Sequence, residues 1–390
     1  MKLTPADLPP EARVAEMTFP TKIFFGPGAL RRLSAAVGAL GSGRALVVTD
    51  PGVAKAGLAA RVAEELGRAG VGCETWAEAS LHEKALSKGA ERFRAGGFGR
   101  VVGVGGGAAL DAAKWVAALA ASPGPLERFK AADGIDLSSA PPVVAVPTAP
   151  GAGTEVNGTA VASLESGRRL RVSNAHLLPR LAVCDADLCL GLTAEQLAVA
   201  GLEAFASCVE AYLSGGFHPL ADALAIDGVG RVARSLPVSV LRPRDVSALS
   251  DLLVASLEAG MAAEKGLGAC RALAHALASR SKAPHGLFAG VVLTSVLELN
   301  RGATTARLAR VAVALGDNSL SRQEVLAGNA IERIRRLVAA LPVPKRLGEL
   351  EVAEDDLGPV ADEALAEGWQ QPSPRKCSKA DLLGALRDSF

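Results

Sequence analysis

The stretch VVGVGGGAALDAAK, residues 101–114, decides how the chain is read. Its first residues are a short Val-rich apolar run, the pattern of a buried strand, and a helix predicted from about Ala108 carries Asp111 and Lys114. Between them stand three consecutive glycines, Gly105, Gly106 and Gly107, which let the backbone turn sharply and approach a ligand with no Cβ in the way. The helix aims its unpaired N–H groups and the positive end of its dipole back at that turn, which suits a phosphate. The stretch therefore reads as a phosphate cradle, although strand, glycine cluster and helix also occur where chains simply pack tightly.

Working outward, the same alternation recurs. Residues 23–25 are an apolar strand running into the turn Gly26-Pro27-Gly28, with a helix expected from about Ala29. RALVVTD, residues 44–50, is a strand ending in a carboxylate, and residues 55–69 have helical spacing. GVGCETW and a helix over residues 83–95 follow, so the first half reads as a parallel α/β layer. Asp50, at the C-terminal end of its strand, suits hydrogen bonds from a ribose diol and would repel a 2′-phosphate, favouring NAD over NADP; capping of the next helix is the equally simple alternative. Beyond the cradle, the strand of PPVVAVPTAPGAGTEVN, residues 141–157, feeds a second loop with Thr148, Gly151, Gly153, Thr154 and Glu155. Hydroxyls and free amides in such a loop can hold phosphate or ribose oxygens. Two such loops at successive strand ends point to a nucleotide more strongly than either alone.

Composition sets the outer limits. A chain of 390 residues suits two domains, each with an ordinary interior. Its 42 basic and 41 acidic residues give a net charge of +1, with no basic stripe interleaved with aromatics, which argues against a nucleic-acid partner. Six cysteines are scattered without a CxxC pair, so neither a zinc finger nor a disulfide framework is suggested. The first seventeen residues look like a loose lead-in, with charges and prolines where a signal peptide needs an apolar core. No uninterrupted apolar run reaches membrane-spanning length. The expectation is a cytoplasmic protein with no membrane partner.

Several segments carry a family resemblance. VVGVGGGAALDAAK resembles the GGGSxxDxxK signature, and PTAPGAGTEV the PTTAGTGSEV loop, of the iron-containing (group III) alcohol dehydrogenases, related to glycerol dehydrogenase and dehydroquinate synthase. RLRVSNAHLLP, GLEAFASCVEAYLS, GLGACRALAHALASRSKAPHG and SPRKCSKADLLGALRDSF continue the resemblance in the family's order. It implies an α/β dinucleotide-binding domain with a parallel sheet over residues 1–190, an all-α domain over residues 191–390, and a cleft holding NAD(P) and iron or zinc. The long Ala/Leu/Val helical spacings after Leu192 agree. By the same resemblance Asp50, Gly105, Gly106, Gly107, Asp111, Lys114, Thr148, Gly153 and Thr154 line the dinucleotide, the substrate is a small alcohol or carbonyl compound, and the protein is a homodimer.

The metal site departs from the pattern. The family's ligand positions, an Asp and a His four apart on one helix and two later His residues, fall here on Glu203, Ser207, Arg271 and His285. Glu203 and His285 are suitable ligands, Ser207 is a poor one, and the guanidinium of Arg271 stays protonated and cannot coordinate a cation. If Glu203 and Arg271 face each other, a charge-assisted pair occupies the void left by the ion. Polarising a carbonyl during hydride transfer would then fall to Arg271 or to nothing, and Arg271 would also suit a substrate carboxylate. Cys208 and Cys270 adjoin Ser207 and Arg271, but neighbours on a helix point about 100° apart, so ordinary buried thiols are expected. His275 matches a second His of the family helix, used near the substrate, and an imidazole suits proton exchange with an alkoxide; a satisfied core His is the plain alternative. His82, His176 and His218 read as structural or solvated. Ala108, Ala149, Pro150 and Ala152 depart from the two glycine signatures, and EASLHEKAL replaces the family's PNPT segment. Two functions stand: an NAD(H)-dependent alcohol dehydrogenase or carbonyl reductase with little or no dependence on metal, His275 and Arg271 being its catalytic candidates; or a catalytically silent, dehydrogenase-like nucleotide-binding or partner subunit.

Overall fold

The computed structural model describes residues 17–130, 135–366 and 372–390. The lead-in expected at the N-terminus falls, up to residue 16, outside the described residues. Two compact units divide between Leu192 and Thr193.

The first unit, Phe19–Leu192, is built on the expected parallel sheet. Its strands are β1 (Lys22–Phe25), β2 (Arg44–Thr49), β3 (Cys73–Trp76), β4 (Phe98–Gly105), β5 (Val143–Pro147) and β8 (Leu181–Cys184), in the spatial order β1-β8-β5-β4-β2-β3 with every pairing parallel. Two further strands, β6 (Thr159–Ser163) and β7 (Arg169–Ser173), form a separate antiparallel pair. The helices are α1 (Leu33–Val37), α2 (Pro51–Lys55), α3 (Leu58–Arg68), α4 (Glu83–Ala95) and α5 (Gly107–Ala121). Alternate residues of each strand serve opposite faces of the sheet. Ala45 and Val47 pack with Val62 and Leu66 of α3 on one side, and Leu46 and Val48 pack with Leu86 of α4 and Val116 of α5 on the other. The chain runs from β2 outward to β3, then returns across β2 to β4 and continues to β5. The sheet therefore reverses its winding between β2 and β4, and the C-terminal ends of those two strands bound the crevice where open α/β sheets take ligands.

Two local expectations are corrected. Residues 55–69 do not form one helix, because Gly57 adopts φ +76° and separates α2 from α3. The helix expected from Ala29 opens as a 3₁₀ turn, Ala29–Arg32, before α1. That segment is fixed from a distance by the fully buried carboxylate of Asp185, which accepts the N–H groups of Gly28 and Leu30 at 3.0 and 2.9 Å.

The second unit, Thr193–Phe390 with Thr18, is helical. Its helices are α6 (Ala194–Leu213), α7 (Pro219–Leu241), α8 (Val246–Ala262), α9 (Ala269–Leu277), α10 (His285–Ala314), α11 (Gln323–Ala340), α12 (Leu357–Ala366) and α13 (Lys379–Asp388). Thr193 starts α6 through a reciprocal capping box with Gln196, which fixes where the helical unit begins. Residues 1–190 were expected to belong together; instead Thr18 counts with the helices, its N–H donating to the Glu264 carboxylate at 3.2 Å. One continuous core joins Phe205 and Val209 of α6, Val229 and Leu236 of α7, Leu252 of α8, Leu273 of α9, Phe288 and Val292 of α10 and Ile331 of α11. Residues 246–265 are long and apolar enough to cross a membrane, but α8 is largely buried in this bundle core and carries Asp251 and Glu258.

Candidate active site

In the first unit the predicted cradle is formed as a turn between β4 and α5. Gly105 has φ +147°, and a Cβ there would lie 2.6 Å from the Cβ of Ala109, so both conformation and space reserve the position for glycine. Gly106 occupies the N-cap of α5 with open space where its Cβ would be, and Gly107 and Ala108 are exposed. The first turn of α5 has neither a capping side chain nor an acidic residue, so its amides face outward with no anion of the protein's own. These residues fit a dinucleotide's phosphates.

Asp50 stands at the adjoining end of β2. Its Oδ1 caps α2 by accepting the Val53 N–H at 3.0 Å, while its Oδ2 would be 3.3 Å from a Cβ on Gly105. The two readings of this residue are therefore compatible, since one oxygen caps and the other borders the cradle. Thr148, at the end of β5, is buried and donates its backbone N–H to the Gly105 carbonyl at 3.0 Å, tying the second loop to the first.

Lys114 requires a correction, while Asp111 and Thr154, both half-buried, are the residues it is tied to. Lys114 has no exposed surface, so it cannot touch a bound dinucleotide. Its Nζ donates to Thr154 Oγ1 at 2.8 Å, Asn157 Oδ1 at 3.3 Å and the Thr159 carbonyl at 2.7 Å, an acceptor for each of its three N–H bonds. Burial pulls its pKa down to about 8 against the opposing pull of Asp111 and Glu155. The Thr154 hydroxyl in turn donates to Asp111 Oδ1 at 2.5 Å, and Asp111 Oδ2 accepts the Val161 N–H at 3.1 Å. Together the three residues clamp the second loop and the β6–β7 pair to α5. Gly153, at φ +70°, shapes the entry to the short turn Thr154–Val156 within that clamp.

In the helical unit three of the residues at the family's metal positions, Glu203, Arg271 and His285, do converge. Arg271 Nη1 and His285 Nδ1 each lie 3.4 Å from Glu203 Oε1. His285 begins α10, and a Cβ on the adjoining Gly286 would be 2.5 Å from the Val199 carbonyl and 3.1 Å from Glu203 Cβ, a close approach that seats this end of α10 against α6. The rings of His275 and His285 are 4.4 Å apart between centroids, inclined at 48°. His275 is buried on α9 and Ser207 is buried on α6. Among the described residues no three His, Cys, Asp or Glu side chains gather as a metal-holding group. One carboxylate and one imidazole beside a fixed guanidinium do not fit a divalent ion, because the cationic side chain repels it. Cys208 and Cys270 do not repair the set: each is fully buried, bonded to a backbone carbonyl and raised in pKa by burial. His218 is structural, its Nδ1 accepting the Ala221 N–H at the start of α7.

Glu210 escaped the sequence reading. It lies two helical turns beyond Glu203 on α6 and is buried, with Oε1 accepting the Cys270 N–H and Oε2 the Arg271 N–H, both at 2.8 Å. Burial pushes its carboxyl up to about 7 although those amides and Arg271 favour the anion. An acid among the Ala and Val of GLEAFASCVEAYLS was the available signal.

The sequence matches the Iron-containing alcohol dehydrogenase family over residues 20–186 and its C-terminal domain family over residues 197–390. It is 32% identical to 4-hydroxybutyrate dehydrogenase of Cupriavidus necator, an alignment covering 95% of this chain and 98% of that protein. Against 1,3-propanediol dehydrogenase of Citrobacter freundii the identity is 31%, over 97% of this chain and 99% of the other. A crystal structure of 1,3-propanediol oxidoreductase superposes with a TM-score of 0.92 at 30% identity, covering 97% of this chain and all of that one. With both segments matched in order and the architecture shared, the chain belongs to the iron-containing alcohol dehydrogenase family.

Proposed function

We propose that the protein interconverts a small alcohol and its aldehyde or ketone with NAD(H), without calling on a metal ion. The observation that carries the reading is the open, glycine-cornered N-terminus of α5 at the point where the sheet reverses its winding, with the second oxygen of Asp50 beside it. Asp50 supports NAD over NADP, since a carboxylate accepts hydrogen bonds from a ribose diol and repels a 2′-phosphate. When bound, NAD(H) supplies or takes the hydride. The chain's own residues orient the substrate and manage charge. In reduction the carbonyl carbon gains a hydride and its oxygen a proton, which His275 would deliver directly or through one water. The Arg271 guanidinium would hold the substrate oxygen as negative charge develops there, and Glu203 balances that cation while the substrate is absent.

The named relatives act on 4-hydroxybutyrate and 1,3-propanediol, short primary alcohols with a second oxygen function at the far end. The same substrate class is the first to try here, and the non-catalytic alternative draws no support from these relatives. The test is oxidation of these two compounds and of simple alcohols with NAD and NADP, alongside titration of NADH by fluorescence. NADH binding with turnover of one substrate is expected; absence of nucleotide binding would overturn the reading. Asp50→Gly should lower the preference for NAD over NADP by roughly ten-fold, the worth of one charged contact. An unchanged ratio would remove Asp50 from the ribose.

A further inference from the structure

We propose that Arg271 is a resident cation standing where iron-dependent relatives hold their ion, and that Glu210 is the residue that positions it. The proposal rests on the oxidoreductase reading for what the cation does; its presence in the site is tested without turnover.

Helix α6 grips the first turn of α9 at two points. Glu203 reaches the Arg271 side chain, its Oε1 3.4 Å from Nη1. Seven residues on, hence on the same stripe of the helix, Glu210 takes the backbone N–H groups of Cys270 and Arg271. Those amides belong to the group that a helix leaves unsatisfied at its start, and the N-cap, Gly268, has no side chain to serve them. Glu210 is thus a cap delivered from another helix. A Cβ on Gly268 would sit 2.8 Å from Glu210 Oε1, so the space is shaped for that carboxylate. The consequence is an Arg271 whose backbone and guanidinium are both tied to α6, one turn ahead of His275 on the same face of α9. A mobile surface arginine would fold back into water; this one is fixed at both ends, and the Glu203 carboxylate that would otherwise draw a divalent ion already has a counter-charge.

The full-length chain should be produced with iron(II) and, separately, with zinc(II) in the medium, desalted, and assayed for metal by mass spectrometry and for thermal unfolding with and without EDTA. The expected result is metal far below one ion per chain and a melting temperature that the chelator leaves in place. One tightly held ion per chain, or a melting temperature lowered by EDTA, overturns the proposal. The triple change Glu203→Asp, Ser207→His and Arg271→His should bring in one zinc ion and raise the melting temperature when zinc is added. Its failure to take up zinc shows that these side chains do not define the site and counts against the proposal equally.

For the positioning role, Glu210→Ala should lower kcat for aldehyde reduction by roughly ten-fold or more, with NADH affinity unchanged and part of the loss restored in Glu210→Gln, which keeps one acceptor oxygen. A kcat equal to the parent's overturns it. If Glu210→Ala does not fold, Arg271→Lys serves, keeping the charge and losing the reach: the same fall in kcat with unchanged NADH affinity is expected, and no fall overturns the assignment. Absence of turnover in the unmodified protein, with the metal and melting results as expected, would defeat the oxidoreductase reading alone.

Discussion

Lys114 stands in a signature read as lining the dinucleotide, yet all its donors are turned inward. Its acceptors, Thr154, Asn157 and Thr159, lie 40 to 45 residues further along the chain, so nothing in the local sequence separates a lysine that holds a phosphate from one that holds the loop. Lys114→Met preserves most of the buried volume and leaves those three oxygens without their donor. A loss of about 3–5 kcal/mol in urea unfolding is expected, with weaker NADH binding because the loop that braces Gly105 is released. Retention of full stability would mean that the clamp is idle. Asp50 shows the opposite relation: its place at the end of a strand was legible, its Oδ1 caps the next helix, and its Oδ2 borders the cradle, where the proposed ribose contact would fall. Glu210 was hidden because its partners are backbone amides about sixty residues away, which no side-chain motif announces.

At the scale of elements, periodicity located the strands well, because a buried parallel strand is an apolar run bounded by turn residues, and β2, β4 and β5 all have that form. Helix breaks were less legible, since Gly57 is one glycine among 42 and its positive φ is not written in the local sequence. The pairing of α7 with α8 carries a titration that the sequence does not reveal. Glu258 of α8 faces Asp227 and Arg231 of α7, with Asp251 on its own helix also bonded to Arg231 and the Cys208 thiol of α6 alongside. Burial first, and then sharing of a proton with Asp227, push the Glu258 carboxyl up to about 8, while Arg231 acts the other way. The ordinary value is 4.5, so between 4.5 and about 8 the folded chain keeps a proton that the unfolded chain has released. This contribution is fully present below pH 4.5 and is lost progressively as the pH rises through about 8. Glu258→Gln mimics the protonated form, and chemical denaturation across this range should show a flatter profile than the parent. An identical slope would mean that Glu258 ionises freely.

For the molecule as a whole, two units with separate cores followed from a first half that alternates strand and helix and a second half of helical spacing alone. The convergence of Glu203, Arg271, His275 and His285 was legible only through the family resemblance, as they come from three helices of a bundle whose crossings no local pattern specifies. The six thiols give a global readout of this packing. Five are buried and Cys73 is half-buried, with burial also raising its pKa. Titration with a thiol reagent at mildly alkaline pH should modify one cysteine slowly in the native protein and all six after denaturation. Rapid reaction of several would contradict the packing of α6, α9 and α10 around Cys208 and Cys270. The ion pair between Glu203 and Arg271 has one more consequence. Ferrous iron can surrender an electron to dioxygen and drift out of its seat, whereas a guanidinium has no accessible oxidation state and is covalently part of the polypeptide. On the proposal that Arg271 takes the ion's place, storage in air should leave this corner of the molecule as synthesis made it.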